Sequence, residues 1–257
     1  GAVALLCLAL ADVNVDDGTD KRQTPLLRAA SFGHREAVRL LHDARADMDL
    51  AQANGRTSLG AAAIRGHTKV LECLCKARAN TNAQERRGAT PLLHAASNGH
   101  LHAMRLLLQA RACVNTSQAD GWTPLSAVAQ RGLLRLVELL CEAGADVEQP
   151  LLDGTSPSAV AAGAGHADVL ACLCRHGAEP QRPRRDGKTA LDFAREKGHR
   201  DVAAMLVQLA GDPSGGGRGQ PRGVGAPPQA RATAAGKATM PVLAEERSGA
   251  GAGAWDD

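Results

Sequence analysis

The dipeptide Gly-His recurs at Gly33–His34, Gly66–His67, Gly99–His100, Gly165–His166 and Gly198–His199, at intervals of 33 residues or a multiple of 33. Gly132–Leu133 stands at the one remaining step. Nine residues before each Gly is a hydroxyl: Thr24, Thr57, Thr90, Thr123, Ser156 and Thr189. A fixed period of this length marks a stack of repeats, each burying its apolar face only against its neighbours. It overrides the one or two globular domains that 257 residues otherwise suggest.

Composition agrees with thin layers rather than one large core. Apolar residues make up 44% of the chain, yet the aromatics are only Phe32, Trp122, Phe193 and Trp255, with no Tyr. Leu, Val and Ala suffice for layers of this kind. The net charge of +3 does not by itself point to nucleic acid.

The seven Cys residues form no CxxC and no paired spacing that reads as a disulfide or zinc framework. Free thiols predict a reducing compartment, the cytoplasm, with the nucleus as the alternative. The apolar run 2–11 lacks the basic flank of a signal peptide and fits the second helix of a repeat. No stretch reaches the ~20 apolar residues of a membrane-spanning helix. A start at Gly1 inside a helix predicts a fragment or a processed product.

Overlaying the six copies defines the unit. Thr-Pro-Leu opens three of them (Thr24–Leu26, Thr90–Leu92, Thr123–Leu125), with Thr as N-cap and Pro at the first helical position. Ala pairs follow at Ala29–Ala30, Ala62–Ala63, Ala95–Ala96 and Ala161–Ala162, small enough for close helix contact, and Gly ends the helix. A second helix after Gly-His carries apolar residues at helical spacing, such as Val137, Leu139 and Leu140. Asn54-Gly55, Asp120-Gly121, Asp153-Gly154 and Asp186-Gly187 then signal turns. The unit is helix, turn, helix, extended hairpin loop.

This pattern resembles the ankyrin repeat, with its T-P-L-H-x-A-A, G-H and L-L-x-x-G-A-D-V-N motifs, over residues 1–210. The resemblance implies an all-α repeat solenoid of one half repeat and six repeats with β-hairpin loops. The expected units are 1–15, 16–49, 50–82, 83–115, 116–148, 149–181 and 182–210. Residues 211–257 are expected to be a disordered tail, since 16 of these 47 residues are Gly or Pro.

The departures are informative. The family's His after Thr-Pro-Leu is replaced by Leu27, Gly60, Leu93, Ser126, Ala159 and Asp192, which bears on the hydrogen bonds between neighbouring loops. The Gly closing helix two is Arg45, Arg78 and Arg111 in three units, where a left-handed backbone costs roughly 1–2 kcal/mol. The fifth unit has Ser158 in a Leu column and Gly163 and Gly165 nearby, and is expected to be the softest. Cys73 and Cys172 share a column with Leu5, Leu40, Leu106, Leu139 and Met205, as Cys7, Cys75, Cys141 and Cys174 do with His42, Leu108 and Val207. Such columns are small-hydrophobe packing.

Catalytic, cofactor and metal sites are all expected to be absent. The His column places neighbouring copies ~8–10 Å apart, whereas zinc needs each nitrogen within ~2.1 Å; a local hydrogen bond at the start of helix two is the simpler role. Gly163-Ala164-Gly165 does not complete a dinucleotide fingerprint or follow a strand.

Binding is expected where the copies differ most, at positions four, three and one before the Thr column and seven and eight after it. In the ankyrin family these are the hairpin tips and the inner groove. They hold nine basic residues (Lys21, Arg56, Arg65, Arg86, Arg87, Arg131, Arg185, Lys188 and Lys197) against five acidic ones (Asp20, Asp120, Asp153, Asp186 and Glu196). Phe32, Asn98, Trp122 and Gln130 add contact groups, and large aromatics and Arg are common hot spots. The candidate partner-binding residues are therefore Phe32, Arg56, Arg65, Arg86, Arg87, Asn98, Trp122, Gln130, Arg131, Arg185 and Lys188. The expectation is a monomeric, non-catalytic scaffold for an acidic or mixed-charge protein segment, without membrane insertion. The alternative is the targeting module of a larger kinase, acyltransferase or ubiquitin ligase. A nucleic-acid adaptor ranks below both, because stacking aromatics are missing.

Overall fold

The Thr column and the Gly column bracket the first helix of every unit. In the computed structural model, which describes residues 12–19 and 22–211, these first helices are α1 (Pro25–Ser31), α3 (Ser58–Arg65), α5 (Pro91–Asn98), α7 (Pro124–Gln130), α9 (Pro157–Ala164) and α11 (Ala190–Glu196). The Thr24, Thr57, Thr90, Thr123 and Ser156 hydroxyls accept the backbone N–H three residues on at 3.1–3.3 Å. Caps of this kind contribute ~1 kcal/mol each. At α11 Asp192 closes the cap, accepting from Thr189 N and Oγ1 at 2.9 and 2.8 Å.

The second helices are α2 (Arg35–Asp43), α4 (Thr68–Lys76), α6 (Leu101–Gln109), α8 (Leu134–Glu142), α10 (Ala167–Arg175) and α12 (Arg200–Gly211). First helices pack on first helices of adjacent units and second helices on second helices, which makes a layered solenoid. All described residues belong to one compact unit, Gly1–Gly215. Most of the expected half repeat 1–15 and, apart from Gly211, the expected tail lie outside the described residues.

Close layering depends on small residues. Ala30, Ala62, Ala96, Ala129 and Ala162 are fully buried between first helices, and Leu26, Leu59, Leu92 and Leu125 fill the column beside them. In the fifth unit Ser158 occupies that column, also fully buried, and its hydroxyl meets Ser156 Oγ at 2.8 Å. The polar substitution is thus locally satisfied, and α9 and α10 form in register. Ser58, in the Pro column, has a buried hydroxyl without a hydrogen-bond partner.

The second helices α2, α4, α6, α8 and α10 end on one common reversal. At α4 the Arg78 N–H bonds Cys75 O and the Ala79 N–H bonds Leu74 O, both at 3.0 Å, a Schellman arrangement. It requires a left-handed residue, which Gly144 and Gly177 supply at φ +84° and +94°. Arg45, Arg78 and Arg111 adopt it at φ +60°, +60° and +62°. The sequence departure therefore leaves the turn intact, with the strain stored in a residue bearing Cβ.

Between units the chain forms fingers rather than strands: no strand occurs among the described residues. In the third finger Gly88 N bonds Glu85 O at 2.7 Å and Glu85 N bonds Ala89 O at 2.9 Å. This is a type I turn closed by a left-handed Gly, and it recurs at Gly55, Gly121, Gly154 and Gly187.

Two measurements check this packing. Arg78→Gly relieves the left-handed strain and is expected to raise unfolding stability by ~1 kcal/mol in denaturant melts, less the entropy Gly adds to the unfolded chain. A loss of stability would show that the Arg78 side chain contributes more than the strain costs. Burial pushes the Cys75 and Cys141 thiols up to about 11, and Cys172 and Cys174 upward as well. Brief iodoacetamide treatment at neutral pH, read by peptide mass mapping, should label exposed Cys113 well before these four.

Candidate functional site

The fingers and first helices are locked into one surface by three ladders. The first joins finger to finger: Arg86 N bonds Asn54 O at 2.9 Å, Ala119 N bonds Arg87 O at 2.7 Å, and Leu152 N bonds Asp120 O at 3.2 Å. At Gly121 the approach is so close that an added Cβ would stand 2.6 Å from Leu152 N.

The second ladder runs along the finger bases. Side chains of Asn14, Asp49, Asn82, Asn115 and Glu148 each accept the backbone N–H of Asp47, Asn80, Cys113, Asp146 and Glu179 respectively, at 2.7–2.9 Å. Neighbouring loops are therefore joined without the family's His, by a carbonyl or carboxylate oxygen one unit back.

The third ladder is the His column. Nε2 of His67, His100, His166 and His199 lies 3.0–3.1 Å from the carbonyl oxygens of Ser31, Ile64, Gln130 and Gly163, each in the preceding unit. The expected local bond at the helix start is thus replaced by an inter-unit bond. The ring reaches its carbonyl by lying against the previous unit's Gly, where a Cβ would come within 2.5–2.8 Å of Nδ1. At the step where Leu133 replaces His, the Arg131 guanidinium donates to Ser97 O, the equivalent carbonyl.

On this scaffold the candidate binding residues divide. Arg56 is engaged: its Nε and Nη2 donate to the two oxygens of Glu85 at 2.8 and 3.3 Å. His94 Nε2 meets the same carboxylate at 2.8 Å. Burial acts to raise the Glu85 carboxyl, but the bonds from His94 and Arg56 outweigh it and bring it down to about 2. Lys188 pairs with Glu196 at 2.5 Å. Arg131 makes no ion pair among the described residues but donates one N–H to Ser97 O, and Asn98 donates to His94 O at 2.8 Å. The Gln130 carbonyl receives His166 while its side chain borders the groove.

Arg65, Arg86, Arg87 and Arg185 are exposed and make no ion pair among the described residues. Phe32 is 64% exposed and stacks on His34, with ring centroids 6.2 Å apart. Trp122 is half-buried on a small cluster of Ala89, Leu93 and Ala127, separate from the main core. It both packs and presents a face to the groove.

Glu85, His94 and Arg184 escape the analysis of variable columns. Arg184 lies beside Asp186 and Asp153 at 3.0 and 3.5 Å and stacks over Phe193, 5.1 Å from its centroid. The signal for Glu85 and Arg184 is a charge in a column that holds Gln52, Gln118 and Leu151 in other units, five residues before the hydroxyl; His94 stands four residues after it, in the column of Ala61, Ala127 and Val160.

Comparison with known families gives three matches to the family model for ankyrin repeats (three copies), over residues 1–85, 74–150 and 128–214. The chain is an ankyrin-repeat protein. Arrays of this family are in general protein–protein interaction modules. No curated protein matches the chain. Among the described residues no helix is long and apolar enough to cross a membrane, and no group of His, Cys, Asp and Glu is arranged to hold a metal ion.

The Arg56–Glu85–His94 link carries a definite pH dependence. A carboxylate held below its ordinary 4.5 stabilises the fold above that value, and the contribution is lost as pH falls towards about 2. Urea melts should therefore show Glu85→Gln costing at most ~3 kcal/mol near pH 7 and progressively less in acid. A cost that does not change with pH would mean that Glu85 acts by shape and not by charge.

Proposed function

We propose that this ankyrin-repeat array is a non-catalytic scaffold or adaptor, monomeric, that docks an acidic or mixed-charge segment of a partner protein. The docking face is the finger tips and the groove beneath them, centred on residues 50–148. One observation carries the reading: the ladders and local ion pairs consume Arg56, Lys188 and part of Arg131, yet Arg65, at the end of α3, and Arg86 and Arg87, on the third finger, remain exposed and without ion-pair partners among the described residues.

A non-catalytic role is supported by where the reactive side chains go. The Thr column caps helices and the His column joins units. Among the described residues the Cys columns contribute apolar packing, and burial pushes the thiols of Cys75, Cys141, Cys172 and Cys174 upward. Reduced thiols in such columns fit the cytoplasm, or the nucleus, as the working compartment.

Arg86→Glu with Arg87→Glu should weaken partner capture by at least ~1 kcal/mol, mostly through slower association and with a steeper salt dependence in the wild type. The capture is read by quantitative mass spectrometry on wild-type and variant baits. Arg105→Glu and Arg135→Glu, exposed on the second helices α6 and α8, should leave it unchanged. Equal losses at both places would remove the groove assignment.

A further inference from the structure

Two cavities occupy the same register of the groove two units apart. The first has a volume of about 540 Å³ and the second about 170 Å³. Leu27, Gln52 and Arg65 in the first correspond to Leu93, Gln118 and Arg131 in the second, each 66 residues on. Equivalent positions thus give equivalent pockets, and what differs between them is chemistry.

In the first, Arg65 and Arg86 are exposed and without ion-pair partners, and the rim is polar. In the second, the Arg65 equivalent is Arg131, whose guanidinium is held by Ser97 O. There the position of Arg56 is taken by Trp122, which lies over Leu93 and Ala127. The first pocket suits an anion and the second an apolar side chain. At the intermediate step the same column holds Ala89, and the Glu85 carboxylate is closed off by Arg56 and His94. That step offers no aromatic wall, and of its two exposed cations Arg86 borders the first pocket while Arg87 lies beside Asp120 and Leu152.

We propose that the two pockets hold one extended partner segment at two points: a Glu or Asp side chain between Arg65 and Arg86, and an aliphatic or aromatic side chain against Trp122. Neighbouring first helices lie ~8–10 Å apart, so two steps span about 16–20 Å. An extended chain rises ~3.3 Å per residue, which places the acidic and apolar residues about five or six positions apart. A helical segment, at ~1.5 Å per residue, needs about eleven to thirteen. The inference rests on the docking reading above and narrows it from a face to a spacing.

The test uses the 257-residue chain and fluorescein-labelled synthetic peptides with a Glu-Glu pair and one Leu in a Gly/Ser background. The gap between them is stepped from about two to about fourteen residues. Affinity by fluorescence polarisation should peak at a gap of about five or six. At the peak, Arg65→Glu with Arg86→Glu should cost about tenfold and abolish most of the salt dependence. Trp122→Ala should cost about tenfold with the salt dependence retained, and replacing the peptide Leu by Ser should cost the same with the protein unaltered. A flat series, a maximum at the helical gap, or no loss on replacing the peptide Leu overturns the proposal. A flat series alongside a captured partner that still requires Arg86 and Arg87 overturns the two points of attachment and leaves the docking face standing.

Discussion

The array depends on one contact repeated between units: a left-handed Gly at the end of a first helix, with the next unit's His ring lying where a Cβ would be. Gly66 and His100 illustrate it, since an added Cβ would sit 2.7 Å from the ring nitrogen while the other nitrogen reaches Ile64 O at 3.0 Å. The Gly ends the helix and clears the space, and the His satisfies a carbonyl that a helix C-terminus leaves without an internal partner. The Gly-His pair that repeats in the sequence is therefore not one interaction. Gly33, Gly66, Gly132 and Gly165 serve the following unit's His, and His67, His100, His166 and His199 serve the preceding unit's helix.

That arrangement explains how the array tolerates its one break. Leu133 fills the space beside Gly99 but has no donor to offer. Arg131, two residues earlier, supplies it from the groove side, at the price of a cation otherwise free for recognition. The same competition operates at Arg56, whose guanidinium is spent on Glu85 in the next finger. Structural and recognition roles draw on one supply of surface charge, and the finger ladders determine which residues remain for a partner.

Much of this was legible from periodicity. The caps at Thr24, Thr57 and Thr90, the left-handed Arg45, Arg78 and Arg111, and the Cys positions in aliphatic columns all follow from register alone, because a repeat tests each position several times in different residues. Glu85 and His94 were not legible. Each departs from its column once, so nothing in the period connects them, and they meet only because the third finger folds back over α5. Trp122 was legible as a contact residue but not as the wall of a cavity, since that requires Leu93 and Ala127 from two different units.

By itself, the sequence determined the repeat, its capped helices, its turns and the variable face on which recognition is expected. These depend on local backbone preferences and on a spacing that recurs every 33 residues. Only the tertiary structure decided which cations on that face are already paired, and that two equivalent pockets differ in what they can hold. Those outcomes depend on hydrogen bonds between groups some thirty residues apart in the chain, such as Arg56 to the Glu85 carboxylate and Arg131 to the Ser97 backbone carbonyl. A one-dimensional register places such residues in neighbouring units, but it does not say which donor reaches which acceptor.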